Sequence, residues 1–157
     1  MAIGYSFAFA TGAPATCVAG AMLAVPDVFG ATATVDGLLG DGVLTRTGMW
    51  VRVGPEHSRP HDPVLEDFGF LPTVWASFRL DKFTDMSSQE DDMVRLLVGV
   101  LGRIAGDAVL HFQFETVWLL RKDGELTLNE RDEHVWTPTR LAAVHLPYRR
   151  VTHSFQQ

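Results

Sequence analysis

Residues 107–130 restrict the fold of this chain more than any other stretch. In DAVLHFQFE (107–115), Ala108, Leu110, Phe112 and Phe114 alternate with Val109, His111, Gln113 and Glu115. Period-two alternation puts the two sets on opposite faces of a strand. VWLLRK-DG-ELTLNE (117–130) follows and reads as a hairpin closed by Asp123-Gly124 in a type I′ turn. A two-residue turn pairs Lys122 with Glu125, Leu120 with Thr127 and Leu119 with Leu128. One face then carries Val117, Leu119, Leu126 and Leu128; the other carries Trp118, Leu120, Lys122, Glu125, Thr127 and Asn129. A continuous strand over 108–122 would far exceed the usual length of about five or six residues. A bulge or bend is expected near Glu115-Thr116, and the core-facing side can switch there.

The best-specified helix precedes this region. Ser87-Ser88-Gln89-Glu90 has the form of a capping box, with Ser87 at the cap. Glu90, Asp91 and Asp92 suit the positive end of the helix dipole. Met93, Leu96, Leu97, Val100, Leu101 and Ile104 then fall on one stripe of period 3.6. Arg103 occupies the last turn, and Gly106 is placed to stop the helix. TVWASFRLDKF (73–83) reads as another strand, with Val74, Ala76, Phe78 and Leu80 opposite Trp75, Ser77, Arg79 and Asp81.

Ile3, Tyr5, Phe7 and Phe9 define a first strand over 3–10. An alanine-rich helix is expected from about 15 to 24, with Cys17, Val18, Ala21, Met22 and Val25 inward, so that Cys17 is a small core residue. Short strands are expected at 31–35, 43–47 and 49–53. Three prolines make 54–63 a loop, residues 131–140 are polar and proline-broken, and a final strand lies within 144–155. Two helices among hairpin-linked strands imply an α+β fold: a mainly antiparallel sheet with two helices packed on one face. The other face of such a sheet can remain wet. That places His111, Gln113 and Glu115 outward, joined by Arg79 and Asp81.

At 157 residues the chain has the size of one domain, able to bury a core without metals or disulfides. The single cysteine rules out an intrachain disulfide and a cysteine-rich zinc site. A net charge of −6 argues against nucleic acid and for basic partners. The first 45 residues contain no Lys or Arg, so the apolar stretch 13–25 lacks the charged flank of a secretory signal and is too short to span a bilayer. A cytoplasmic protein without membrane contact is the expectation.

No enzyme motif stands out. His57, His61 and Asp62 have the residue types of a metal site, but a spacing of four brings two histidines together only on a helix, and this loop holds Pro55, Pro60 and Pro63. Glu66 and Asp67 with Asp81, or Glu115 with Glu130, are carboxylates without a defined separation. Neither GxSxG nor a glycine-rich phosphate loop is present. Asp67-Phe68-Gly69 spells a kinase tripeptide with no other kinase element around it. No cofactor is expected. The acidic turn with Asp85, Glu90, Asp91 and Asp92 is first a helix start and second a patch for a basic partner.

The runs PVLEDFGFLPTVWASFRLDKF, QEDDMVRLLVGVLGRIAGDAVLHFQFETVWLLRKDGELTLNERDE and LPYRRVTHSF resemble the Sit-type immunity family, SitI3-like members included. The resemblance covers roughly residues 48–155, and the first 45 residues carry it less well. It implies a cytoplasmic, non-enzymatic protein that binds and neutralises a cognate swarming-inhibition toxin. The expected interface is Arg79, Asp81, His111, Gln113 and Glu115, with Asp91 and Asp92 as a second patch. The alternatives are a small-ligand or enzymatic α+β domain and a homodimer that buries the open face against itself. An enzyme predicts a deep pocket with convergent titratable groups; a docking protein predicts a flat polar face.

Overall fold

The computed structural model describes residues 2–57 and 60–156. It is an α+β arrangement built on one eight-stranded sheet. In chain order the elements are β1 (Ala2–Ala10), α1 (Ala15–Leu23), α2 (Val35–Leu39), β2 (Val43–Leu44), β3 (Trp50–Pro55), α3 (Pro63–Phe68), β4 (Val74–Asp81), α4 (Met86–Leu101), β5 (Asp107–Phe112), β6 (Thr116–Lys122), β7 (Glu125–Leu128), α5 (Pro138–Ala143) and β8 (Arg149–Arg150). The strand order is β2-β3-β4-β1-β5-β6-β7-β8. Every pairing is antiparallel except that of β7 with β8. β1 is central, between β4 and β5.

Registry fixes two faces. On the first, Tyr5, Phe7 and Phe9 lie opposite Phe78, Ala76 and Val74, and Phe7 and Phe9 lie opposite Leu110 and Ala108. These side chains pack under Val18 and Met22 of α1, Leu38 of α2, and Met93, Leu96, Leu97, Val100 and Leu101 of α4. The α4 stripe is therefore buried as its spacing requires. Removing any of its leucines to alanine forfeits on the order of 2–5 kcal/mol.

Several local expectations are corrected. Asp85, not Ser87, caps α4: its carboxylate accepts from the Ser87 N–H at 3.1 Å and from the Ser88 hydroxyl at 2.6 Å. Gln89, Glu90 and Asp92 are buried, because they lie three or four residues before Met93 and Leu96 on the same face of the helix. α4 ends at Leu101, and Arg121 of β6 holds its last carbonyl together with those of Ile104 and Gly106 in the turn that follows, at 2.6–2.7 Å. Cys17 is exposed, and Ala19 takes the inner place expected for it. Residues 31–35 form no strand; Val35 opens α2, where the Thr34 hydroxyl accepts from the Gly37 N–H.

The 117–130 hairpin has the expected pairs, with positive φ at both Asp123 and Gly124. The long strand before it does more than bend. Gln113, Phe114 and Glu115 make a full reversal between β5 and β6, with φ of 53° and 57° at the first two. The registry slips opposite Leu110 and His111, so Trp118 is the extra residue of β6. Val117 therefore moves to the second face while Leu119 stays on the first.

Candidate functional site

The second face divides in two. Its rows follow from the pairings: Leu44–Trp50–Arg79–Gly4, then Arg52–Ser77–Ser6–His111–Val117, then Gly54–Trp75–Ala8–Val109–Leu120. Ala8, Val109, Val117 and Leu120 are apolar, and this half is roofed. Val64 and Phe68 of α3, Phe70 and Phe155 cover it as a second core. Of α3, only Pro63 fell in the expected 54–63 loop; the rest had no element assigned to it. Asp62 makes the helix possible by accepting from the Val64 and Leu65 N–H groups at 2.9 and 3.4 Å, Pro63 opens its first turn, and Gly69 ends it with φ of 78°. The Asp67-Phe68-Gly69 tripeptide is thus a helix end, and Asp67 accepts from the Gln156 N–H at 2.9 Å, fastening the C-terminal segment.

His111 lies under this roof and is 2% exposed, which overturns its expected place on an open face. Its ring stacks on Phe114 at 4.4 Å and meets the edge of Phe155 at 5.2 Å. Nδ1 accepts from the Phe114 N–H at 3.1 Å, so the neutral ring carries its proton on Nε2. Burial pushes its pKa down to about 4, against the pull of Asp62. In this state Nε2–H is a hydrogen-bond donor. Gln113 and Glu115 remain exposed at the reversal beside it.

The other half of the face, towards β3 and β4, is not covered by any of the described residues. Arg79 lies 5.0 Å over the Trp50 ring, and Arg52 lies 5.5 Å over the Trp75 ring. Each indole N–H is anchored to a carbonyl, Trp50 to Asp41 at 3.0 Å and Trp75 to Pro55 at 3.1 Å. Each ring also rests on a glycine. A Cβ on Gly42 would come within 2.4 Å of the Trp50 ring, and one on Gly54 within 2.5 Å of the Trp75 ring. The rings are thereby fixed flat on the sheet, and the guanidiniums are held over them. Neither Arg52 nor Arg79 joins an ion pair among the described residues. Leu44, beside Trp50, is 61% exposed. Asp81 lies two residues beyond Arg79 and is held through its backbone by Gln89.

The second expected patch is mostly engaged internally. Asp92 is buried, accepting from the Thr47 hydroxyl at 2.7 Å and paired with Arg95 at 3.5 Å. Asp91 is exposed but held by Arg140 Nε at 2.7 Å. Glu90 is 2% exposed, with His134 Nε2 at 3.2 Å and Arg140 Nη2 at 4.0 Å. Burial pushes its carboxyl above the usual range, against the opposing pull of His134 and Arg140. The same burial, with Glu90 adding to it, raises the Tyr5 phenol to about 12. The polar residues at this helix start lock the 131–140 segment onto α4.

The sequence reading missed Trp50, Arg52 and Leu44. The signal was present: Trp50 and Arg52 alternate along β3 as Trp75 and Arg79 do on the same face of β4. The family match decides kinship, because the model described as SitI3-like matches residues 3–140. The chain belongs to the SitI3-like family. The match begins within β1 and so includes the Ala/Gly-rich first 45 residues. The family suggests an immunity protein rather than an enzyme. This SitI3-like chain is significantly similar to no curated protein and to no solved structure. Among its described residues no helix is long and apolar enough to cross a membrane.

Proposed function

We propose that the protein is a non-enzymatic cytoplasmic immunity protein that neutralises a cognate bacterial toxin by binding it, and that the uncovered half of the second sheet face is the docking surface. One observation carries the surface: two arginines fixed over two tryptophans on a flat, unroofed sheet, with Leu44 exposed alongside. Tryptophan and arginine dominate the energetics of protein interfaces. Rings pinned by glycine and an N–H bond lose little freedom on association, which removes a main cost of binding. Trp50, Arg52, Trp75, Arg79 and Asp81 form the centre of this surface. Gln113 and Glu115 are placed at its rim. His111, Asp92 and Asp91 are left out of it, being buried or already paired.

The test is co-expression with the cognate toxin. The wild-type protein restores growth and co-purifies with the toxin. Trp50→Ala with Arg79→Glu abolishes both and leaves the fold intact by circular dichroism; Glu130→Lys, a distant exposed change, does neither. Failure of the wild-type protein to capture any toxin sinks the function. Survival of capture in the double variant sinks only the surface. Self-association through this face would appear as a dimer in sedimentation that the same double variant dissociates.

A further inference from the structure

A cleft of about 280 Å³ opens where the roofed half of the second face meets the uncovered half. Ser6, Ser77, His111, Asp62 and Glu56 line it, with Trp75 and Phe114 among its apolar walls, and Glu56 is engaged in an interaction of its own. Two buried groups on its lining have unused hydrogen-bonding capacity. His111 uses Nδ1 on Phe114, and its Nε2–H has no partner among the described residues. His111 lines the cleft, and its Nε2 is not sealed in the way that the unpartnered Trp118 Nε1 is. Asp62 is 6% exposed and caps α3 through Oδ1 alone. Its Oδ2 has no partner among the described residues and is likewise unsealed.

We propose that this cleft binds a primary carboxamide, the head of a glutamine or asparagine side chain, with its carbonyl oxygen on the His111 Nε2–H and its N–H on the Asp62 carboxylate. The pair presents one buried donor and one buried acceptor, and an unmet buried polar group costs about 1–3 kcal/mol. A ligand that answers both is favoured over one that answers either. An ammonium or guanidinium only donates, and would leave the histidine N–H facing a cation. A carboxylate would meet His111 but be repelled by Asp62. A hydroxyl can answer both groups but offers no flat surface to the Trp75 and Phe114 rings. A planar amide does. The inference stands apart from the toxin reading, and its test needs no toxin.

The experiment follows the His111 imidazole nitrogens by NMR during titration. N-acetylglutamine methylamide represents a chain-borne residue and free glutamine a metabolite. The matching glutamate and lysine derivatives and glucose are the competitors. Either glutamine form, or both, is expected to shift Nε2 saturably in the millimolar range, and the competitors to bind at least roughly tenfold more weakly. Which form binds identifies the source. Asp62→Asn keeps an oxygen to cap α3 and replaces the acceptor with a donor, so the preference should invert towards the glutamate derivative. His111→Phe should abolish the response of neighbouring amides. No saturable shift with either glutamine form, equal binding of a competitor, or an unchanged preference in Asp62→Asn overturns the proposal.

Discussion

Arg140 on α5 reaches Asp91 on α4 at 2.7 Å and, with the rest of its guanidinium, holds the carbonyls of Ser87, His134 and Val135 at 2.8–3.1 Å. One buried side chain therefore satisfies both a helix start and the loop laid over it. Arg140→Met should cost about 3 kcal/mol, because it takes the donor from the buried Val135 carbonyl and from two part-buried carbonyls at once. Asp91→Asn, at an exposed partner, should cost less than about 1 kcal/mol. Urea unfolding of the two variants checks the contrast; equal losses would refute it.

His111 gives the protein an acid-sensitive contribution. Its pKa falls from an ordinary 6.5 to about 4 through burial. The unfolded chain takes up a proton below pH 6.5 that the folded chain refuses, so stability falls as pH drops from there and levels off below about 4. The difference amounts to about 3 kcal/mol. Glu90 acts in the opposite sense: its raised pKa makes the fold gain stability as pH falls through it towards the unfolded value. Comparing wild type with His111→Gln by urea unfolding at pH 7 and pH 4.5 isolates the histidine. The variant should lose less on acidification, and parallel losses would count against this account.

Phe155 seals the second core through edge contacts with Phe68, His111 and Phe114 at 5.0–5.5 Å. Phe155→Ala should destabilise by about 3 kcal/mol. It should also admit water to His111 and move its pKa up towards the ordinary value. An NMR titration of the imidazole reads that directly, and an unmoved pKa would show that Phe155 is not what keeps the ring dry.

Arg121 meets three carbonyls with three different nitrogens. Lysine has a single nitrogen and cannot reproduce that fork. Arg121→Lys should therefore recover little of the roughly 2–4 kcal/mol lost in Arg121→Met. Thermal unfolding of the pair decides; near-wild-type behaviour of the lysine variant would mean charge alone suffices.

Periodicity carried much of the fold. β4 and the α4 stripe are long or strongly patterned and have the faces their spacing required, and the 117–130 hairpin has its expected pairs, although Val117 crosses to the second face. α3 was hidden because six residues among prolines show no period. The cap of α4 was misplaced because Asp85 and Ser87 are both good caps, and Asp85 prevails with Ser88 donating back to it. The candidate site was harder to read. Alternation separates two faces of a strand without saying which are covered, and the roof over His111 comes from residues 62–70 and 155, far away in the chain. Val109 and Leu120 were the clue, apolar side chains in what had been taken for a wet row.

The central place of β1 shapes how this molecule must assemble. Its two neighbours, β4 and β5, come much later in the chain, so neither flank of β1 can be zipped until residues 74–81 have left the ribosome, and the second waits for 107–112. Until then an aromatic ribbon bearing Tyr5, Phe7 and Phe9 waits with both edges bare. Such late, long-range closure slows folding and leaves the nascent chain dependent on whatever shields that ribbon in the meantime.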